Sequence, residues 1–89
     1  EIINKKIEIK TYKENDFVII DIEDNAKGIS ADIIYKIFDP YFSTKKAKEG
    51  TGIGLYMSKI IIKDHCKGEI TVTNSQDGAN FKIKLPLNI

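Results

Sequence analysis

Hydrophobic and polar residues alternate along Ile7-Glu8-Ile9-Lys10, the two-residue period of a half-buried strand. After the polar stretch Lys13-Glu14-Asn15-Asp16, residues 17–22 carry apolar side chains on both faces, as in a central strand, so the two segments predict a β-hairpin. Ser30 stands where it caps a short helix over residues 31–37, with Asp32 in the first turn and Ile33, Ile34 and Ile37 on one side; Pro40 prevents much continuation. From Ile53 to Cys66, the apolar positions Ile53, Met57, Ile60 and Ile61 recur at helical spacing while Lys59 and Lys63 lie off that stripe. This predicts a helix that packs on a sheet by one side and is stopped by Gly68. Residues 69–73 and 80–85 alternate again, with Ile70 and Val72, then Phe81, Ile83 and Leu85, on one face, and Asp77-Gly78 as the hairpin turn. The expected architecture is α+β, a two-layer sandwich with helices packed on one face of a mixed four-stranded sheet.

Composition bounds this picture without redirecting it. A chain of 89 residues makes one small domain of modest stability, in the size range where about 60 to 65% of the unfolded surface becomes buried. Fourteen basic residues, all Lys, stand against 13 acidic ones, for a net charge of +1. That balance argues against nucleic acid as a partner, since a basic excess on one face is the mark of such binding. The lone Cys66 cannot form an internal disulfide, and no second Cys or His cluster beside it suggests a metal site, so it reads as a helix-end packing residue. No apolar run reaches the roughly 18 to 20 residues of a membrane span and no signal-peptide pattern opens the chain, from which a cytoplasmic domain is expected.

Chemistry concentrates in three segments. In Gly50-Thr51-Gly52-Ile53-Gly54-Leu55 a glycine-rich loop runs into the N-terminus of the long helix, a junction whose free amides and positive dipole end attract phosphate by about 0.3 to 2 kcal/mol from the dipole alone. The same residues also describe a flexible loop with Thr51 as helix cap. Asp24 stands at the end of the apolar strand, where a carboxylate is costly unless it is paired or accepts hydrogen bonds. A turn formed with Asn25 supplies one such role, and recognition of a ligand donor another. Between these, residues 43–51 are polar and basic with no apolar period and read as a mobile lid. There Lys45, Lys46 and Lys48 are either phosphate-reaching cations or a solvated charge run.

Taken in order, Asp24-Asn25-Ala26-Lys27-Gly28-Ile29, Phe38-Asp39-Pro40-Tyr41-Phe42-Ser43-Thr44-Lys45 and Gly50-Thr51-Gly52-Ile53-Gly54-Leu55 resemble the boxes D-x-G-x-G-I, F-[DE]-P-F-[FY]-[ST]-T-K and G-T-G-[LI]-G-L. These belong to the GHKL (Bergerat-type) ATP-binding domain of sensor histidine kinases. The resemblance runs from about residue 6 to residue 87. Its aromatic box separates the chain from the gyrase, mismatch-repair and chaperone ATPases of the same superfamily. The resemblance implies that Asp24 accepts from the exocyclic amine of adenine and that Gly28 and Ile29 complete the base-side box. Ala26 replaces the first glycine of that box, which costs on the order of 1 kcal/mol if the site needs a positive φ there. Phe38, Tyr41 and Phe42 would pack the base of the lid, and Lys45 would approach the phosphates. Gly50, Gly52 and Gly54, the Thr51 hydroxyl and the amides of Ile53 and Leu55 would cradle them.

The same resemblance implies ATP and Mg²⁺ as cofactors. It also implies transfer of the γ-phosphoryl group to a histidine of a dimerisation domain outside the chain, and thence to a response regulator. His65, the only histidine, lies outside the family's phospho-acceptor context and reads as a dipole partner at a helix C-terminus. The family's metal-holding asparagine box lies on a helix before the first hairpin, whereas this sequence opens at Glu1-Ile2-Ile3-Asn4. Residues 1–89 are therefore expected to be part of the catalytic domain, with little kinase activity alone. The sheet face that helix covers is expected to be bare; about 400 Å² of it corresponds to roughly 10 kcal/mol of lost burial, which favours self-association. Alternatives are a degenerate nucleotide-binding or docking module, suggested by Ala26, and an anti-sigma-type serine kinase. Membrane anchoring of the intact protein would come from segments outside the chain.

Overall fold

Four strands, β1 (Ile7–Glu14), β2 (Phe17–Asp24), β3 (Glu69–Asn74) and β4 (Ala79–Pro86), form one sheet in the order β1-β2-β4-β3 in a computed structural model that describes residues 4–42 and 53–87. Every pairing is antiparallel, where a mixed sheet was expected. The reason is topological. The helical connection makes β2 and β3 run the same way, but β4 returns between them and separates the two parallel strands. The first hairpin closes tightly, Glu14 opposite Phe17, around Asn15-Asp16, with Asn15 in the left-handed region at φ 57°.

Register sorts the side chains into two faces. Ile20 lies opposite Ile83 and Ile83 opposite Ile70, while Ile9, Ile22, Phe81 and Val72 form the next row. These residues make the apolar face. The other face carries Lys10, Asp21, Lys82 and Thr71, and Asn80 donates to the Asp21 carboxylate. Ile19 sits on this polar side between the register neighbours Tyr12 and Lys84, yet is only 1% exposed.

The long helix begins as α1 (Gly54–Ile60) and ends in a π-turn (Ile61–His65), closed by bonds from Cys66 N to Ile61 O (3.1 Å) and from Gly68 N to Ile62 O (2.8 Å). Lys67, at φ 59°, takes the left-handed position that ends it; Gly68 does not. Ile53, Tyr56 and Ile60 are half-buried, whereas Met57 and Ile61 are exposed. The inward stripe thus keeps Ile53 and Ile60 of the expected set and takes Tyr56 in place of Met57 and Ile61, because Ile53, Tyr56 and Ile60 at i, i+3 and i+7 share a face. The helix expected over residues 31–37 is reduced to turns and one 3₁₀ segment (Ile34–Lys36). Ser30 still organises its start, its carbonyl accepting from Ile33 and Ile34 at 3.0 Å and its hydroxyl from Asp32 at 3.3 Å. A seven-residue stretch with two adjacent β-branched residues, ahead of Pro40, cannot offset the cost of helix nucleation.

Phe38 packs edge-on against Phe81, ring centroids 6.3 Å apart, so the turn covers the apolar face, and Lys59 Nζ of α1 lies 5.8 Å from the Phe38 ring. Coverage is partial. Among the described residues only Ile19, Ile37, Gly78 and Ala79 are buried, and β1 is exposed along its whole length instead of half-buried, with Ile7 71% and Ile9 65% exposed.

Candidate functional site

Strand β2 delivers Asp24, half-buried, to the tip of the sheet. Its Oδ1 accepts from two backbone amides, Ala26 at 3.0 Å and Ala79 at 3.1 Å. The first closes the local turn foreseen for Asp24. The second ties the loop to the start of β4. With both donors on one oxygen, Oδ2 has no donor among the described residues. An open depression of about 660 Å³ lies here, lined by Lys5, Lys6, Ile7, Asp24, Asn25 and Ala26.

Past Asp24 the backbone enters the left-handed region at Lys27 (φ 73°) and Gly28 (φ 81°). Ala26 does not, so the strain expected of an alanine there does not arise; Lys27 carries it instead. The left-handed Lys27 costs free energy that Gly28 does not, and contacts from the β3–β4 hairpin offset it. Lys27 N donates to Asp77 O at 2.9 Å. The Asn74 amide grips Ile29 at both ends: Ile29 N donates to Asn74 Oδ1 at 2.8 Å, and Asn74 Nδ2 donates to Ile29 O at 2.7 Å. Any Cβ on Gly28 would stand 2.7 Å from Asn74 Oδ1. On the other flank Asn25 accepts from Lys6 N at 2.9 Å and donates to Asn4 O. The hairpin turn itself spans residues 75–78 and is wider than the Asp77-Gly78 pair expected, held by Ser75 N to Gly78 O (2.8 Å) and Gly78 N to Ser75 Oγ (3.1 Å).

Sequence reasoning missed Asn74. Its signal was present: Asn74 follows Ile70 and Val72 in the inward-facing register, so a polar residue occupies a position where the alternation calls for an apolar one.

Of the remaining candidates, Phe38 and Phe42 are half-buried as expected, but Tyr41 is 76% exposed with φ 66° and does not pack. Ile53 is the N-cap of α1 and Gly54 its first residue. Met57 N is the amide that closes on Ile53 O, at 2.8 Å, which leaves the amides of Gly54 and Leu55 without intrahelical acceptors. A Cβ added to Gly54 would meet none of the described residues within 4 Å. Lys45, Gly50, Thr51 and Gly52, with Lys46 and Lys48, lie outside the described residues. His65 is exposed at the end of the π-turn and Cys66 half-buried beside it. Among the described residues no group of three or more His, Cys, Asp or Glu side chains is placed to hold a metal, and no helix is long and apolar enough to cross a membrane.

The family described as histidine kinase-, DNA gyrase B- and HSP90-like ATPases matches residues 3–89. The chain belongs to this family. It is 40% identical over 86 residues to the sensor kinase CckA of Brucella abortus and 45% identical over 85 residues to the signal transduction histidine-protein kinase AtoS of Escherichia coli. Those matches take in 91% and 93% of this chain but only 9% and 14% of the relatives, so the chain spans a small part of each. Among solved structures, the catalytic domain of histidine kinase ThkA superposes with a TM-score of 0.82 at 32% identity, over 93% of this chain and 53% of that one. ThkA in complex with the response regulator protein TrrA superposes at 0.76 with 26% identity, over 96% of this chain and 23% of that one. The fold is that shared with histidine kinase catalytic domains, about half of whose length the chain spans, and its relatives are sensor histidine kinases.

Proposed function

We propose that residues 1–89 are part of the catalytic domain of a two-component sensor histidine kinase, in which ATP lies with its adenine against Asp24 and Gly28. The γ-phosphoryl group then passes to a histidine of a dimerisation domain in the intact protein, and on to a response regulator. One observation supports the adenine assignment: Asp24, which lines an open depression of about 660 Å³, has two amides on Oδ1 and no donor to Oδ2 among the described residues. An exocyclic amine is such a donor. Gly28 and Ile29 bring backbone to the same corner, and Phe38 anchors the segment that leads to Lys45.

At the phosphate end, the amides of Gly54 and Leu55, which lack intrahelical acceptors, and the absence of any described atom within 4 Å of a Cβ at Gly54 suit an oxyanion. Ile53, Gly50, Thr51, Gly52 and Lys45 complete the set by their place in the motifs. Mg²⁺, when bound, neutralises charge on the triphosphate; its protein ligands are assigned outside the described residues. Phosphoryl transfer needs positioning and charge compensation more than covalent help from the protein, and a rigid base pocket at one end of the nucleotide fixes where the other end lies. Response-regulator partnership is supported by the solved ThkA–TrrA complex. The ATP requirement supports a cytoplasmic position. Ala26, which suggested a nucleotide module without phosphotransfer, sits without left-handed strain.

The test is Asp24→Asn in the intact protein. Asparagine keeps an acceptor for the Ala26 and Ala79 amides but turns the second oxygen into a donor. ADP affinity should fall by about 10- to 150-fold, the worth of a charge-assisted hydrogen bond, with the melting temperature nearly unchanged. Unaltered affinity by calorimetry would overturn the adenine assignment, and failure to transfer label from ATP to a histidine would overturn the kinase assignment.

A further inference from the structure

Asn74 belongs to none of the three motifs, yet it is the side chain that holds the base-side loop in shape. We infer that Asn74 is a positioning residue for nucleotide binding: its carboxamide grips the peptide of Ile29 and thereby presents Gly28 and Asp24 to the base. This rests on the nucleotide assignment at Asp24.

The geometry is a two-point clamp. One carboxamide satisfies the N–H and the C=O of a single residue, 2.8 and 2.7 Å, as a neighbouring strand does with an edge residue. Ile29 has no strand beside it, so these bonds replace the ladder that ended at Asp24. The clamp also explains the glycine. Asn74 Oδ1 occupies the position a side chain at residue 28 would need, and the strained left-handed φ of Lys27 next to it is opposed from outside the loop.

Chemistry selects asparagine. Aspartate would keep the acceptor for Ile29 N but set a carboxylate against Ile29 O, serine reaches one group at most, and alanine neither. Because the clamp acts at the base end and touches no group assigned to the phosphates, its loss should appear in affinity for the nucleotide and not in the chemical step at saturation.

The experiment uses the intact protein, with Asn74→Ala and Asn74→Asp beside Asp24→Asn and the control Thr73→Ala, an exposed residue of the same strand on the opposite face. For each, ADP affinity is measured by calorimetry, and KM for ATP and kcat for autophosphorylation by label transfer. Asn74→Ala is expected to raise the ADP Kd and the ATP KM by about tenfold or more, with kcat within about twofold. Asn74→Asp should fall between it and the unmodified protein, and Thr73→Ala should match the unmodified protein. A purely structural role would lower the melting temperature and the active fraction but leave KM in place, and that result overturns the proposal. If Asn74→Ala does not fold, Asn74→Asp decides alone: an unchanged KM sinks the clamp. Should Asp24→Asn lose nucleotide while the Asn74 variants keep it, the clamp falls and the site stands; should neither change affinity, both fall.

Discussion

Gly78 lies against Asp24 so closely that a methyl group on it would stand 2.0 Å from the Asp24 carbonyl oxygen and 2.5 Å from Oδ1. Room, not backbone conformation, is what glycine provides there, because Gly78 is not in the left-handed region. The hairpin turn and the tip of β2 are thus built into each other.

Gly78→Ala should force the two apart. Overpacking of this kind costs about 1 to 3 kcal/mol or more, and here the displaced group is backbone. Urea unfolding should show that loss, and calorimetry should show weaker ADP binding in the fraction that remains folded. A variant of full stability would mean that the hairpin can move away freely.

Lys67 offers the opposite case. Held at φ 59° after the π-turn, it bears the cost of a left-handed side-chain residue. Lys67→Gly should raise stability by about 0.5 to 1 kcal/mol in urea unfolding. It lies on the helix end away from the proposed nucleotide corner, so ADP affinity should not change.

Ile19 is buried on the otherwise polar face of the sheet. Ile19→Ala should therefore destabilise by about 2 to 5 kcal/mol and Ile19→Val by about 0.5 to 1.5 kcal/mol, a graded series readable in urea midpoints at constant slope.

Ile7 and Ile9 stand exposed on the sheet face shared with Ile20 and Ile22. A chain of residues 1–89 in solution should cover that face with a second copy, giving a concentration-dependent dimer in light scattering. The paired change Ile7→Lys and Ile9→Lys should leave a monomer. A strict monomer for the unmodified chain at high concentration would exclude the association.

Local chemistry determined much of this protein. Two-residue alternation placed β1, β3 and β4, an apolar run placed β2, and the polar stretch Lys13 to Asp16 placed the first turn, although Lys13 and Glu14 extend β1 and only Asn15-Asp16 is loop; one bond of Asp24 follows from its place two residues before Ala26. The order of the motifs Asp24 to Ile29, Phe38 to Lys45 and Gly50 to Leu55 carried the family. Tertiary structure decided the rest. That β4 lies between β2 and β3, that Ala79 N reaches Asp24 across 55 positions and Asn74 reaches Ile29 across 45, and that Met57 faces outward while Tyr56 faces in all depend on which elements pack together. A periodicity states which residues share a face. It cannot state what covers that face, since the covering free energy comes from surfaces remote in the chain.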